Sequence, residues 1–348
     1  MKKILAKSCQ SAPHCILTGW KNVFERIGYQ WVWWPQDKPA FDIFNEYEPD
    51  IYINPWYEWD RGTIKSLTRR PHIKVIAKGK NLHTEGFNSQ IDTTKYPIDI
   101  ATKEDIDFLV ELKNKVPNLW LYNYYHKNSM SKLMGGWDAL GIPTVGMMPA
   151  ADIYAYQRNK GVNESLKCDI CIVSGYWPYK ARSYEQFIKP LCYPIGKYNI
   201  KIFGGGGWPY PQYCGFLSPN LEAELYRSAT ICLNVHEPHS RDFGFDCNER
   251  TFKVIASGGF CLTDYVKELF NHVFVSNELP CYETLERLEE QIEYYIHNPD
   301  LCHQLKEECY KTVMAGHTYN HRMKDLLTVL GMEKDSAKTL QLLQGNKE

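Results

Sequence analysis

What the sequence lacks narrows its reading first. No stretch approaches the roughly 18 consecutive apolar residues of a membrane-spanning helix. The basic start Met1-Lys2-Lys3 leads into an apolar stretch that Lys7 ends too early for a secretory signal. Both absences point to a cytoplasmic chain. Neither charge sign is in excess. Forty Lys and Arg against 41 Asp and Glu leave a net charge of -1, which argues against a protein that holds nucleic acid by global positive charge, though not against a local patch. Paired metal-ligand cysteines are missing too. The one C-x-x-C, Cys168-Asp169-Ile170-Cys171, lies in a strand-like segment, where residues three apart point to opposite faces, and no second pair completes it. The 12 cysteines therefore read as small buried hydrophobes. No G-x-G-x-x-G occurs in the first 150 residues, and no glycine-rich loop fits G-x-x-x-x-G-K-[ST], which makes a nicotinamide enzyme or a phosphate-loop enzyme a poor reading.

What is present is globular. With 348 residues, 44% hydrophobic and 23% charged, the chain is long enough for two domains and too apolar for disorder. Strand-like and helix-like segments alternate through both halves. Strands are expected at 3–9, 30–34, 50–54, 73–77, 98–101, 119–124 and 143–148, with helices near 19–27, 41–47, 104–115 and 129–140. The second half repeats the alternation, with strands at 169–174, 199–203, 230–235, 260–263 and 272–276 and helices near 183–192, 220–228, 249–257, 265–270, 282–297 and 301–314. Such alternation predicts two doubly wound α/β domains of Rossmann-like type facing a cleft, with ligands at the carboxyl ends of the parallel strands. The expected division is 1–155, 165–327 and a terminal helix at 328–348 that crosses back to the first domain.

Charge is unevenly spread. Residues 1–150 carry 19 basic and 16 acidic side chains, and the remainder 21 and 25. Within 61–80 stand Arg61, Lys65, Arg69, Arg70, Lys74, Lys78 and Lys80 without one acid. This is either a solvated face or a phosphate-contacting patch beside the aromatic segments Trp31–Trp34 and Trp56–Trp59.

Chemistry concentrates in three loops of the second half. After the strand ending at Val235 comes His236-Glu237, a polar loop that includes Arg241, and a helix expected to start after the N-cap Asn248, with Glu249, Arg250, Thr251 and Lys253 in its first turns. A helix start with an arginine in its first turn suits a diphosphate. Ser174-Gly175-Tyr176-Trp177-Pro178-Tyr179-Lys180 follows another strand, and Lys180 with Arg182 would neutralise phosphate. Gly204-Gly205-Gly206-Gly207-Trp208 follows a third, with glycines for close approach and Trp208 to stack on a base. The letters Asp105-Ile106-Asp107 match a metal-binding D-x-D, but they open an amphipathic helix where acids favour the dipole, so no metal is expected.

Residues 168–327 resemble the carboxyl-terminal domain of group 1 glycosyltransferases, in particular the CgeB-like (spore maturation protein) branch. The matching segments are Asn234-Val235-His236, Glu249-Arg250-Thr251-Phe252, Ala256-Ser257-Gly258-Gly259-Phe260, Thr263-Asp264 and Gly316-His317-Thr318-Tyr319-Asn320-His321-Arg322. The resemblance implies the GT-B fold and an enzyme that needs no metal or other cofactor. It would move a sugar from a nucleotide sugar, UDP-linked in the first instance, to an acceptor hydroxyl. By the same resemblance Arg250 and Thr251 would hold the diphosphate, assisted by Lys180 and Arg182, while Glu249 and the loop from His236 to Arg241 approach the sugar or ribose. Lys253 stands where many relatives carry a ribose-binding Glu. An inverting transfer would also call for a base on the acceptor side, and strand-end positions nominate Asp60, Glu58 and His14 ahead of His126, whereas a retaining transfer would need none. The default acceptor is a glycan, glycolipid or protein. The basic segment motivates a hydroxylated base in DNA as an alternative, and a non-catalytic sugar-nucleotide binder is the rival from another class.

Overall fold

The computed structural model describes residues 1–7, 12–35, 37–83 and 99–345. The chain divides into two compact units, Met1–Met148 with Asn320–Glu348, and Pro149–Tyr319. The segment 149–164 therefore groups with the second unit, and 320–327 groups with the first rather than with the residues that precede it.

The first unit holds a parallel six-stranded sheet in the order β2-β1-β3-β4-β5-β6, made of β1 (Lys3–Ala6), β2 (Gln30–Trp33), β3 (Ile51–Ile53), β4 (Lys74–Lys78), β5 (Leu119–Asn123) and β6 (Thr144–Gly146). These are short, β-branched or aromatic runs, and Ile4, Leu5, Ile51, Ile53, Val75, Ile76, Leu119 and Leu121 lose all exposure in the core. The helix Ala12–Arg26 presents Trp20 and Phe24, one turn apart, to that core, where Trp20 meets Tyr122 edge-on at 5.2 Å. The strand expected at 98–101 is a single bridge, Asn81 with Ile100, and its first residue lies outside the described set, as do residues 8 and 9 of the first expected strand. The helix expected over 129–140 is broken into Met130–Leu133 and Gly135–Ala139, because glycines 135 and 136 stand in its middle and a Cβ on Gly136 would lie 2.5 Å from Leu82.

The second unit holds a parallel five-stranded sheet in the order β11-β10-β9-β7-β8, from β7 (Cys168–Val173), β8 (Ile200–Phe203), β9 (Ala229–Asn234), β10 (Cys261–Asp264) and β11 (Cys281–Tyr282). The strand expected at 272–276 does not form. Val273 and Phe274 are buried as that apolar run suggests, but they sit in a turn closed by Asn277, whose φ is 58°, and the edge strand comes later. Cys171, Cys232 and Cys261 lie in register on adjacent strands as plain core residues, and burial pushes the Cys171 and Cys261 thiols up. Among the described residues no disulfide forms, and no helix is long and apolar enough to cross a membrane.

The motif 316–322 does structural work. Thr318 bridges to Ala151 within the second unit, while the Arg322 Nε donates to the Met148 carbonyl at 2.9 Å within the first. The terminal helix Glu333–Gly345 docks on the first unit through Asp335. That carboxylate accepts from Lys2 Nζ at 2.6 Å, Tyr29 Oη at 2.7 Å and Lys338 Nζ at 2.9 Å. Burial alone would raise the Asp335 carboxyl, but these donors reverse the effect and hold it well below the usual carboxylate range. A carboxylate depressed on folding stabilises the native state above its unfolded pKa of about 4 and loses that contribution as pH falls below it. Asp335→Asn should therefore cost about 1–3 kcal/mol at pH 7 and almost nothing in strong acid, as read by urea unfolding at both pH values. Equal losses at the two pH values would contradict the assignment.

Candidate active site

Four loop starts line the carboxyl edge of the second sheet. Ser174 follows β7, Gly204 follows β8, Asn234 ends β9 and Asp264 ends β10. Arg250 reaches this edge from the helix Arg250–Ala256, with NH1 donating to Asn234 Oδ1 at 2.7 Å and NH2 to Ser174 Oγ at 3.0 Å. Both partners are neutral, and Arg250 forms no ion pair with any described carboxylate.

The other expected cations behave differently. Lys180 is buried and pairs with Glu237 at 2.8 Å. Burial would push the Glu237 carboxyl up, but the Lys180 ammonium beside it prevails and holds it at about 2. Arg241 stands 3.7 Å from Asp264 and over the Phe187 ring. Lys253 lies 3.5 Å from Glu222 and 3.6 Å from Glu249, and both Glu222 oxygens also accept tyrosine hydroxyls, from Tyr156 and Tyr226 at 2.6 Å each. The basic residue at 253 thus comes with its own acid from the helix Pro219–Ser228. Arg182 is exposed and lies over the Tyr179 ring.

Several expectations need correction. Asn248 is not the N-cap. Glu249 occupies that position without a side-chain capping bond, and Asn248 is instead drawn into a reciprocal pair with Asn234 at 3.0 and 3.1 Å. The helix that follows is one of seven residues with an acid at its start, so the positive charge at this edge comes from the guanidinium and not from a long helix dipole. The Thr251 hydroxyl does not face outward to a phosphate. It is fully buried and accepts from Asn234 Nδ2 at 2.9 Å. His236 is fully buried, its Nδ1 2.6 Å from Asp264 Oδ1.

Trp208 is not a stacking surface. Its Nε1 donates to the Ser174 carbonyl at 2.9 Å and its ring packs 4.3 Å from Tyr184 in the core. Exposed rings on this edge are Tyr265 and Trp177, the latter backed by Tyr179, which stacks in turn on His239. Gly175 and Gly205 are exposed, but the neighbouring glycines serve another purpose. Gly204 has φ 143°, and a Cβ there would lie 1.9 Å from the Ser174 carbonyl oxygen; at Gly206, with φ 90°, it would lie 2.1 Å from that of Tyr176. Glycine lets one loop lie against the other.

Of the nominated bases, Asp60 caps the helix Arg61–Thr68, accepting from the Thr63 N–H at 2.6 Å, and that bond draws its carboxyl below the ordinary value. Such a carboxylate is a weak proton acceptor. Glu58 is exposed, with Lys7 3.4 Å away. His14 falls in the helix Ala12–Arg26 at a position whose side chain lies outside the described set. His126 is buried, and its Nδ1 accepts from the Asn128 N–H at 3.3 Å. Asp105 closes a capping box with Thr102 and binds Lys80 at 2.9 Å. Sequence reasoning gave no role to Ser174, Asp264, Glu222 or Asn234. Only Asn234 and Asp264 carried a signal, as the polar ends of apolar strands inside quoted motifs.

Residues 180–328 match the glycosyl transferase-like family model. No curated protein matches the chain. Among solved structures, the chain is similar to an alpha-glucosyltransferase in complex with UDP and a 13-mer DNA containing a HMU base, at 12% identity and a TM-score of 0.64, over 94% of this chain and 99% of that one. It is also similar to a glycosyltransferase from Rickettsia africae ESF-5, at 11% identity and 0.60 over 94% and 97%, respectively. Sucrose-phosphate synthase from Thermosynechococcus elongatus aligns at 10% identity and 0.59 over 99% of each chain. These likenesses establish the GT-B fold over the whole chain. The family match adds a glycosyl transferase-like region over residues 180–328 of that fold.

The glycine geometry yields a stability test. Gly204→Ala and Gly206→Ala should each cost about 2–4 kcal/mol by chemical unfolding, because backbone must move and φ is positive. Gly205→Ala, with open space and no positive φ, should cost under about 0.5 kcal/mol. A Gly205→Ala cost matching that of Gly204→Ala would refute this account.

Proposed function

We propose that the protein transfers a sugar from a UDP-sugar to an acceptor hydroxyl without a divalent metal, acting in the cytoplasm as a member of the CgeB-like branch. One observation carries the reading. Arg250 is held by neutral direct partners and makes no ion pair among the described residues, the Glu249 and Glu237 carboxylates acting on it only from farther off, at the carboxyl edge of a parallel sheet, the place where such folds bind ligands. When the anomeric C–O bond breaks, negative charge develops on the leaving diphosphate, and a fixed guanidinium stabilises it with little reorganisation. The Ser174 hydroxyl and exposed Gly175 backbone offer further neutral contacts. Lys180 and Glu237 act here as a pair, with Lys180 placing the carboxylate toward the sugar. The UDP held by fold-similar enzymes supports the choice of nucleotide. The consumption of Asp105 by a helix cap and Lys80 supports the metal-free reading. Asp60 being committed to its cap, Glu58 and His14 are the candidate acceptor-side bases.

A second reading concerns the acceptor. Most of the 61–80 cations are engaged within the first unit: Lys74 binds the Leu330 carbonyl, Lys80 binds Asp105, Arg70 binds Asn45, and Lys78 covers the Tyr124 ring. Arg61, Lys65 and Arg69, spaced four residues apart along the helix Arg61–Thr68 and its C-cap, stay exposed without an ion pair among the described residues, and exposed Tyr57 lies just before them. Such a stripe, and the DNA bound by a fold-similar glucosyltransferase, favour DNA carrying a hydroxylated base as acceptor over a neutral glycan.

Nucleotide release measured across a panel of UDP- and other nucleotide sugars, with and without EDTA, tests the first reading. Turnover that survives EDTA is expected, and Arg250→Gln should lower kcat/KM about 100- to 1000-fold. A wild-type protein that neither binds nor turns over any donor would sink it. For the second, DNA affinity should fall with salt, and Arg61→Gln/Lys65→Gln/Arg69→Gln should reduce the log–log slope by about 2–3. Salt-independent or absent binding speaks against DNA.

A further inference from the structure

Arg250 serves an anionic leaving group better the less its charge is offset at contact distance; Glu249 and Glu237 act on it from farther off, and the atom touching its NH1 belongs to Asn234. That side chain is fully buried at the end of β9. Its Nδ2 has three acceptors in reach, Thr251 Oγ1 at 2.9 Å, Thr263 Oγ1 at 3.1 Å and Asn248 Oδ1 at 3.1 Å. Its Oδ1 accepts from Arg250 NH1 and from Asn248 Nδ2 at 3.0 Å. A guanidinium can only donate, so the amide oxygen has to be the end that faces it. The Asn234 carbonyl is tied down as well, by the Tyr282 hydroxyl at 2.9 Å. Carboxylate and amide have nearly the same shape, so aspartate would give Arg250 a charged partner, while its second oxygen would no longer donate to Thr251 Oγ1, Thr263 Oγ1 and Asn248 Oδ1.

We propose that Asn234 is a positioning residue that fixes the Arg250 guanidinium through a neutral acceptor and so reserves its charge for the diphosphate. The proposal rests on the reading of Arg250 as a diphosphate ligand. Placement and charge are separable: a carboxylate oxygen would still accept from Arg250 and would offset its charge, whereas serine keeps the position neutral and loses only the placement. A purely structural residue would respond alike to both changes.

The experiment compares Asn234→Asp, Asn234→Ser, Arg250→Gln and the pair Asn234→Ser/Arg250→Gln by calorimetric titration with UDP and with uridine, beside thermal unfolding. Asn234→Asp should weaken UDP binding roughly 10- to 100-fold and leave uridine binding nearly unchanged, with a Tm no lower than that of Asn234→Ser, which also gives up the Nδ2 donor. The pair should bind UDP no more weakly than Arg250→Gln alone, since both changes remove one interaction. Wild-type affinity for UDP in Asn234→Asp, or an Asn234→Ser loss that adds fully to that of Arg250→Gln in the pair, overturns the proposal. If Arg250→Gln itself binds UDP like wild type, the diphosphate reading fails and this inference falls with it. Should Asn234→Asp not fold, Asn234→Ser decides: neutral but shorter, it should weaken UDP binding about three- to tenfold by loosening Arg250, and wild-type affinity would overturn the idea.

Discussion

A guanidinium taken partly out of water must be offset by hydrogen bonds or by opposite charge. At the carboxyl edge of the second sheet, four basic side chains meet that demand in two ways. Lys180, Arg241 and Lys253 each stand beside a carboxylate, so their charges largely cancel. Arg250 is held by an amide oxygen and a hydroxyl, which accept from two of its N–H groups without a carboxylate in direct contact. The chemistry attributed to the site depends on that difference in partners, because a leaving diphosphate is stabilised by net positive charge and not by the number of basic residues nearby.

The backbone around Arg250 is arranged to keep this geometry. Ser174 is held where Arg250 meets it by the loop it begins: Tyr184 contacts its hydroxyl, and Trp208 donates to its carbonyl. The close approach of the β7 and β8 loops is possible only with glycine at 204 and 206. A tryptophan that could have stacked on a ligand is spent instead on fixing a carbonyl. Rigidity of this kind has a chemical return, since groups already in place need not reorganise as charge develops.

In the first unit the polar residues of the strand-end loops are more often structural than reactive. Asp60 satisfies helix N–H groups, His126 accepts a backbone N–H, and most cations of the 61–80 segment are tied to carbonyls, rings or acids of the same unit. The terminal helix is anchored to the rest of this unit by one carboxylate that accepts from Lys2 and Tyr29. What remains exposed and uncommitted, chiefly the Arg61, Lys65 and Arg69 stripe, is a small part of what composition suggested.

The amino-acid order alone determined the alternation of strand and helix, the two parallel sheets and the loops at which chemistry gathers. Apolar periodicity acts over a few residues, and burying each apolar face drives a segment such as Cys168–Val173 or Lys103–Lys115 to its state wherever it packs. Even there, a buried run at 273–274 reads as strand although a turn claims it. Partnerships were decided by the tertiary structure. Arg250 meets Ser174 across 76 positions of sequence, Lys180 and Glu237 lie 57 apart, and Lys253 finds Glu222 on another helix. Whether a basic side chain keeps or loses its charge depends on which group the fold sets within 3–4 Å of it. That distance has no trace in local composition, so the sequence nominated five cations and two acids alike, and the fold alone decides that Arg250 meets an amide oxygen and a hydroxyl where Lys180, Arg241 and Lys253 meet carboxylates.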